Sequence, residues 1–312
     1  MTGGGPDETD AIIVLYHSVR IMSMKTFKYG VIIADLESMP SGCSVWPAFW
    51  TLGSGKEWPY GGEIDIIEGV NNDLLLVNSN FFLLFRRRFI SGFRNQYTFH
   101  TGIDQECSIP NKVPKDNAPG SFMGTIVNTD CRSSEKADTG CAVRDTSKIS
   151  YGPGFNKAGG GIFALLRNKE GFKIWHFEHH SIPADIHARD PNPGSWPTPN
   201  AALSVDECAG VDSFFTPQNL ILDITLCGGF GTANYQADGC PGTCAERVTK
   251  GCNYIGAYFM NFLSAMLCRY EFRCRMGDQF HNFVSLIDIT FVPPFLEVWR
   301  NRTHFPILRA VA

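Results

Sequence analysis

The sequence predicts an all-β domain. Aromatic residues make up 12% of the 312-residue chain, charged residues only 19%, and there are 31 glycines. That mix suits short strands joined by tight turns better than it suits helices. Short apolar runs recur between Gly, Pro and Asn: Val31-Ile32-Ile33-Ala34 and Phe172-Lys173-Ile174-Trp175-His176-Phe177 read as strands. Gly159-Gly160-Gly161 reads as a turn feeding the strand Ile162-Phe163-Ala164-Leu165. A chain of this length can bury one large β core.

One strand carries unusual chemistry. Gly61-Gly62-Glu63-Ile64-Asp65-Ile66-Ile67-Glu68-Gly69 places three carboxylates in six residues. Acids on a packed strand face are costly unless paired, so they point to a strand lining a wet cleft. The rival reading is an exposed edge strand with scattered acids. Strand alternation puts Glu63 and Asp65 on one face and Glu68 on the other. The doubled Ile66-Ile67 breaks that alternation, and a β-bulge there returns Glu68 to the side of Asp65. The bulge leaves about four regular steps, ~13 Å, between the Cα atoms of the two glutamates. Side chains leaning toward each other bring the carboxyl groups to ~5–6 Å, compatible with a retaining glycosidase rather than an inverting one. Three acids this close cannot all ionise cheaply, which suits a division into nucleophile and proton donor.

Glu63-Ile64-Asp65-Ile66-Ile67-Glu68 resembles the active-site motif of glycoside hydrolase family 16, the laminarinase and endo-1,3(4)-β-glucanase family. Met39 to Thr51, Ser150 to Asn156 with Gly159-Gly160-Gly161, Ser181 to Ile186 and Cys240 to Glu246 extend the likeness to its fungal branch. It covers roughly Ser18 to Tyr258. The resemblance implies a concanavalin/laminarinase-like jelly-roll β-sandwich, here expected to be incomplete at its edges. It implies Glu63 as nucleophile, Glu68 as general acid/base and Asp65 between them. Trp50 and Trp58 resemble positions lining the cleft, and Trp46 fits core or cleft equally. His100 resembles a cleft histidine on the neighbouring strand. Phe230 stands in Cys227-Gly228-Gly229-Phe230, where the family usually has Cys-Gly-Asp-Trp. It can stack on a sugar but lacks the indole donor, which touches affinity more than chemistry.

The expected activity is retaining hydrolysis of internal β-1,3 or mixed β-1,3/1,4 glucosidic bonds, without cofactor. A non-catalytic glucan-binding sandwich and a wall-glucan transglycosylase on the same site are the alternatives. His176, Glu178 and His180 would share a face of one strand, but no further ligand pattern surrounds them and no metal site is expected. The net charge of −4 implies no polyanionic partner. The expected partner is β-glucan, with no nucleic acid, no membrane span and a monomeric chain.

Eleven cysteines argue for an oxidising compartment and a secreted enzyme. Yet Met1-Thr2-Gly3-Gly4-Gly5-Pro6 does not read as a signal peptide. Cys131 with Cys141, and Cys240 with Cys244, are spaced for short-loop disulfides, and the odd count leaves a thiol over. The catalytic domain is expected over 1–258. Residues 73–94 read as a greasy insertion foreign to it, such as translated intron, with a genuine loop flanking the cleft as the alternative, and 259–312 read as a tail unlike the family.

Overall fold

The computed structural model describes residues 19–71, 94–112, 120–249, 289–292 and 308–311. The insertion assigned to 73–94 lies outside the described residues except for Arg94, and most of the tail lies outside them too. Among the described residues fourteen strands form two sheets, antiparallel throughout except where one short strand joins in parallel.

The larger sheet is built from β1 (Val19–Phe27), β3 (Val45–Gly53), β4 (Glu63–Glu68), β5 (Gln96–Gly102), β6 (Thr125–Asn128), β8 (Cys141–Arg144), β12 (Gln218–Leu226) and β14 (Leu308–Val311). Its order is β14-β1-β12-β3-β4-β5-β8-β6, with β7 (Arg132–Ser133) pairing in parallel with β5. The smaller sheet has the order β11-β10-β9-β2-β13. Its strands are β2 (Gly30–Leu36), β9 (Gly161–Asn168), β10 (Gly171–Glu178), β11 (Ala201–Ser204) and β13 (Ile289–Val292). Beside β1 and β2 lie the four-residue strands β14 and β13.

Alternation decides what each face buries. Phe49, Ile64, Ile66, Ile67, Tyr97, Phe99, Leu220 and Leu222 point inward and meet Phe163, Leu165, Phe172 and Ile174 of the smaller sheet. Their neighbours in sequence, Ala48, Trp50 and Ile221, form a separate apolar patch on the opposite face of the larger sheet. That face is the one expected to line the cleft. A third layer covers the back of the smaller sheet, where Trp196, Ile182 and Ile186 pack on Val31, Ile33, Trp175 and Phe177. Residues 181–186 of the family-like block belong to this layer.

Four disulfides staple the described residues: Cys43–Cys240, Cys107–Cys208, Cys131–Cys141 and Cys227–Cys244. The short loop closed by Cys131 and Cys141 is as expected. Cys240 and Cys244 do not pair with each other. Cys244 opens a helix (Cys244–Thr249) and reaches Cys227, while Cys240 reaches Cys43. The two long-range partners are neighbours, since Cys227 N donates to Ser44 O at 2.9 Å, so the pairing pins the 240–244 turn to the sheet. The remaining cysteines, Cys252, Cys268 and Cys274, lie outside the described residues.

Candidate active site

The register of β4 shows why its acids converge. Glu63 pairs with Leu52, Asp65 with Trp50 and Glu68 with Ala48 on β3, with a register shift between Phe49 and Trp50. Ile66 is the extra residue of a β-bulge, so Ile66 and Ile67 both enter the core and are at most 2% exposed. The three acids therefore share the cleft face. Glu63 and Glu68 oppose residues four strand steps apart on β3, or ~13 Å. Gly62, at φ 76°, turns the chain into the strand where an added Cβ would strike the Phe215 ring.

A bulge leaves backbone groups without ladder partners. Pairing of β4 with β5 stops at Asp65 opposite Thr98. Beyond it, Asn95 replaces the ladder: its Nδ2 donates to Ile66 O at 2.8 Å and its Oδ1 accepts from Glu68 N at 3.0 Å. Asn95 is fully buried and was not singled out from sequence. Only the register reveals its role.

Each acid has a distinct partner. Trp58 Nε1 donates to Glu63 Oε2 at 2.6 Å. Thr98 Oγ1 donates to Glu68 Oε2 at 3.2 Å. His100 Nε2 lies 3.3 Å from Asp65 Oδ2, and Nδ1 lies 2.8 Å from Ser133 Oγ. Burial raises all three carboxyl groups, Glu63 and Asp65 well above the usual carboxylate range. The negative neighbours add to this, while the Trp58 donor and His100 pull Glu63 back.

The predicted aromatic residues take different places. Trp50 is 8% exposed on the cleft face. Its Nε1 donates to Asp223 Oδ1 at 3.3 Å, and the Arg20 guanidinium sits 4.9 Å from its ring centre. Trp58 spends its donor on Glu63 and lies 6.0 Å from the His100 ring. Trp46 is half-buried and meets Phe230 edge-on at 5.6 Å, so both stand near the Glu68 end. Phe230 lies on a helix spanning Gly228–Asn234. Asp223, opposite Ala48 on β12, is a cleft residue that sequence did not reveal. A lone Asp in an apolar strand gives no signal until register sets it in the same row as Glu68.

His176, Glu178 and His180 do not share a surface. β10 ends at Glu178, a 3-10 turn follows, and His176 is buried against the Phe163 ring at 4.8 Å. Among the described residues, Glu63, Asp65 and His100 bring atoms within 4.8 Å of one another. That set is the acid cluster itself, already engaged by Trp58 and Ser133, and we assign it no metal. A cavity of about 190 Å³ touches Thr51, Ile64 and Leu165. It lies on the core side of β4, behind the acids.

The model of the XgeA-like catalytic domain of glycoside hydrolase family 16 matches residues 7–79 and 90–263. The chain belongs to glycoside hydrolase family 16. A probable glycosidase of Schizosaccharomyces pombe is 36% identical over 81% of this chain and 54% of its own length. An endo-1,3(4)-β-glucanase of Arthroderma benhamiae is 34% identical over 71% of this chain and 43% of its own. The chain thus spans about half the length of these curated relatives. A Phanerochaete chrysosporium laminarinase 16A, solved with β-glucans in donor and acceptor sites, superposes with TM-score 0.61 at 34% identity. That match covers 73% of this chain and 69% of the other. A family 16 elongating β-1,3-glucosyltransferase superposes with TM-score 0.57 at 33% identity, over 72% of this chain and 65% of the other. The fold is the family's jelly-roll sandwich.

Proposed function

We propose that this chain is a retaining endo-β-glucanase acting on β-1,3 or mixed β-1,3/1,4 glucan. The observation that carries the reading is the bulged strand with Glu63, Asp65 and Glu68 on one cleft face. Glu63, with Trp58 as donor to its ionised form, attacks the anomeric carbon. Glu68, whose carboxyl is held up by burial, protonates the leaving oxygen and then takes a proton from water. Asp65 lies between them, its own carboxyl raised well above the usual range chiefly by burial, so that it opposes ionisation of Glu63 less than an ordinary carboxylate would. Trp50, Trp58, His100, Trp46 and Phe230 supply the substrate contacts. Phe230 is the weakest of these, because it has no indole donor.

The catalytic domain is 1–258 in this reading, with 73–94 an insertion and 259–312 a tail, and the chain acts as a monomer. The four disulfides suit an oxidising environment and support the reading of a secreted enzyme. Among the described residues no helix is long and apolar enough to cross a membrane.

A reducing-sugar assay on laminarin and mixed-linkage glucan tests the activity. Glu63→Gln and Glu68→Gln should each abolish product release with the fold retained. Full activity in either variant overturns the assignment. The glucosyltransferase likeness favours a second outcome on the same glycosyl-enzyme, capture by sugar instead of water. Elongated products at high oligosaccharide concentration would mark it.

A further inference from the structure

Behind His100 lies a contact that the reaction as described does not use. Ser133 is fully buried on β7, whose parallel pairing beside Thr101 and Gly102 of β5 brings it to the imidazole. Its Oγ is 2.8 Å from His100 Nδ1 and 3.4 Å from Cys131 O. Cys131 O already accepts from Thr101 N at 2.8 Å. The hydroxyl has one proton, and Nδ1 is the nearer and less occupied acceptor.

A neutral imidazole carries one N–H, and the partner of one nitrogen decides the state of the other. If Ser133 donates to Nδ1, the proton sits on Nε2, which faces Asp65 at 3.3 Å. The opposite tautomer would aim a bare nitrogen at Asp65 Oδ2, a buried oxygen that has no hydrogen-bond partner of its own. We propose that Ser133 is a positioning residue that fixes His100 in the Nε2–H tautomer, so that a neutral imidazole donates to Asp65. This rests on the glucanase reading for its role in catalysis, but the tautomer itself does not.

The Cys131–Cys141 loop holds the arrangement in place. Gly140, at φ 56°, sits so close behind the ring that an added Cβ would lie 2.7 Å from His100 Nδ1. The disulfide between Cys131 and Cys141 closes the loop that bears Ser133. The titratable groups around the imidazole come from β4: Asp65 in contact, with Glu63 and Glu68 on the same face. Trp58 flanks the ring, and β7 and the loop contribute Ser133 without charge.

The test is imidazole 15N NMR on histidine-labelled protein, with the His100 signals assigned by their loss in His100→Gln. The wild type should show the Nε2–H tautomer above the histidine titration range. A dominant Nδ1–H tautomer overturns the proposal, whatever the activity. Ser133→Ala should lose the tautomer preference, lower kcat about tenfold with KM changed less than twofold, and move a limb of the kcat pH profile by half a unit or more. A folded Ser133→Ala enzyme with wild-type tautomer and pH profile also overturns it. If the variant does not fold, the wild-type spectrum decides. Absence of hydrolysis by the wild type sinks the glucanase reading and leaves the tautomer result standing.

Discussion

Asn95 stands in for a strand at Ile66, donating its carboxamide to the bulge carbonyl at 2.8 Å while accepting from Glu68 N at 3.0 Å. The bulge turns Glu68 toward the cleft, and Asn95 keeps the turned backbone satisfied. Asn95→Ala leaves two buried backbone groups without partners, at a cost of roughly 1–3 kcal/mol each. The expected result is a stability loss of a few kcal/mol and a fall in kcat of tenfold or more, larger than any rise in KM. Denaturant melts and Michaelis parameters on laminarin check this. Unchanged kcat would show that Glu68 keeps its aim without the clamp.

Asp223 acts on the same site through charge. It anchors Trp50, pairs with Arg20 at 3.3 Å and raises both Asp65 and Glu68. Removing it with Asp223→Ala takes away a negative neighbour and leaves Arg20 unpaired, so both carboxyl groups should release protons more readily. A proton donor that ionises earlier moves the alkaline limb of the kcat profile toward acid. The freed Trp50 should also raise KM several-fold. A pH–rate series reads both, and an alkaline shift would refute the electrostatic part.

Glu63 should trade stability for function. Its carboxyl is raised well above the usual range, chiefly by burial, so the folded state binds the proton more tightly than the unfolded chain does. Stability is then gained as pH falls through the folded value toward the unfolded one, and ionisation at neutral pH costs the fold. Glu63→Gln keeps an oxygen for Trp58 and removes that cost. The inactive variant should melt a few degrees above wild type at pH 7, with the gap closing near pH 4. Differential scanning calorimetry at the two pH values measures it.

What could be read from sequence follows the range of the interactions. The bulge was legible because Ile66-Ile67 interrupts a local period of two. Cys131–Cys141 was legible because its loop is short. Cys43–Cys240 spans 197 residues, and nothing near Cys240 indicates it, so the nearby Cys244 was the natural but incorrect partner. Asp223, Ser133 and Asn95 are ordinary polar residues in their own segments. They join the site only because β12, β7 and the start of β5 are set beside β3 and β4. His176 misled in the other direction: its strand is real, but the strand stops at Glu178, and its ring faces Phe163 in the core.

That buried histidine gives a pH dependence of its own. Burial lowers His176 from 6.5 to about 4, and its Nε2 has no hydrogen-bond partner. Asp145 Oδ2 is 4.0 Å from its Nδ1 but is already taken up by Tyr97 and Asn200. Since the folded value lies below the unfolded one, the neutral ring supports the fold fully above about pH 6.5. That support is lost as pH falls toward 4, where the unfolded chain takes up the proton first. Over the whole window the loss is ~3 kcal/mol, and by pH 5 it is ~2 kcal/mol. His176→Phe keeps a ring against Phe163 and removes the titration. The variant should match wild type within ~1 kcal/mol at pH 7 and exceed it by ~2 kcal/mol at pH 5, read from guanidinium unfolding. Equal losses in the two proteins between pH 7 and 5 would show that the His176 ring takes up its proton within the fold.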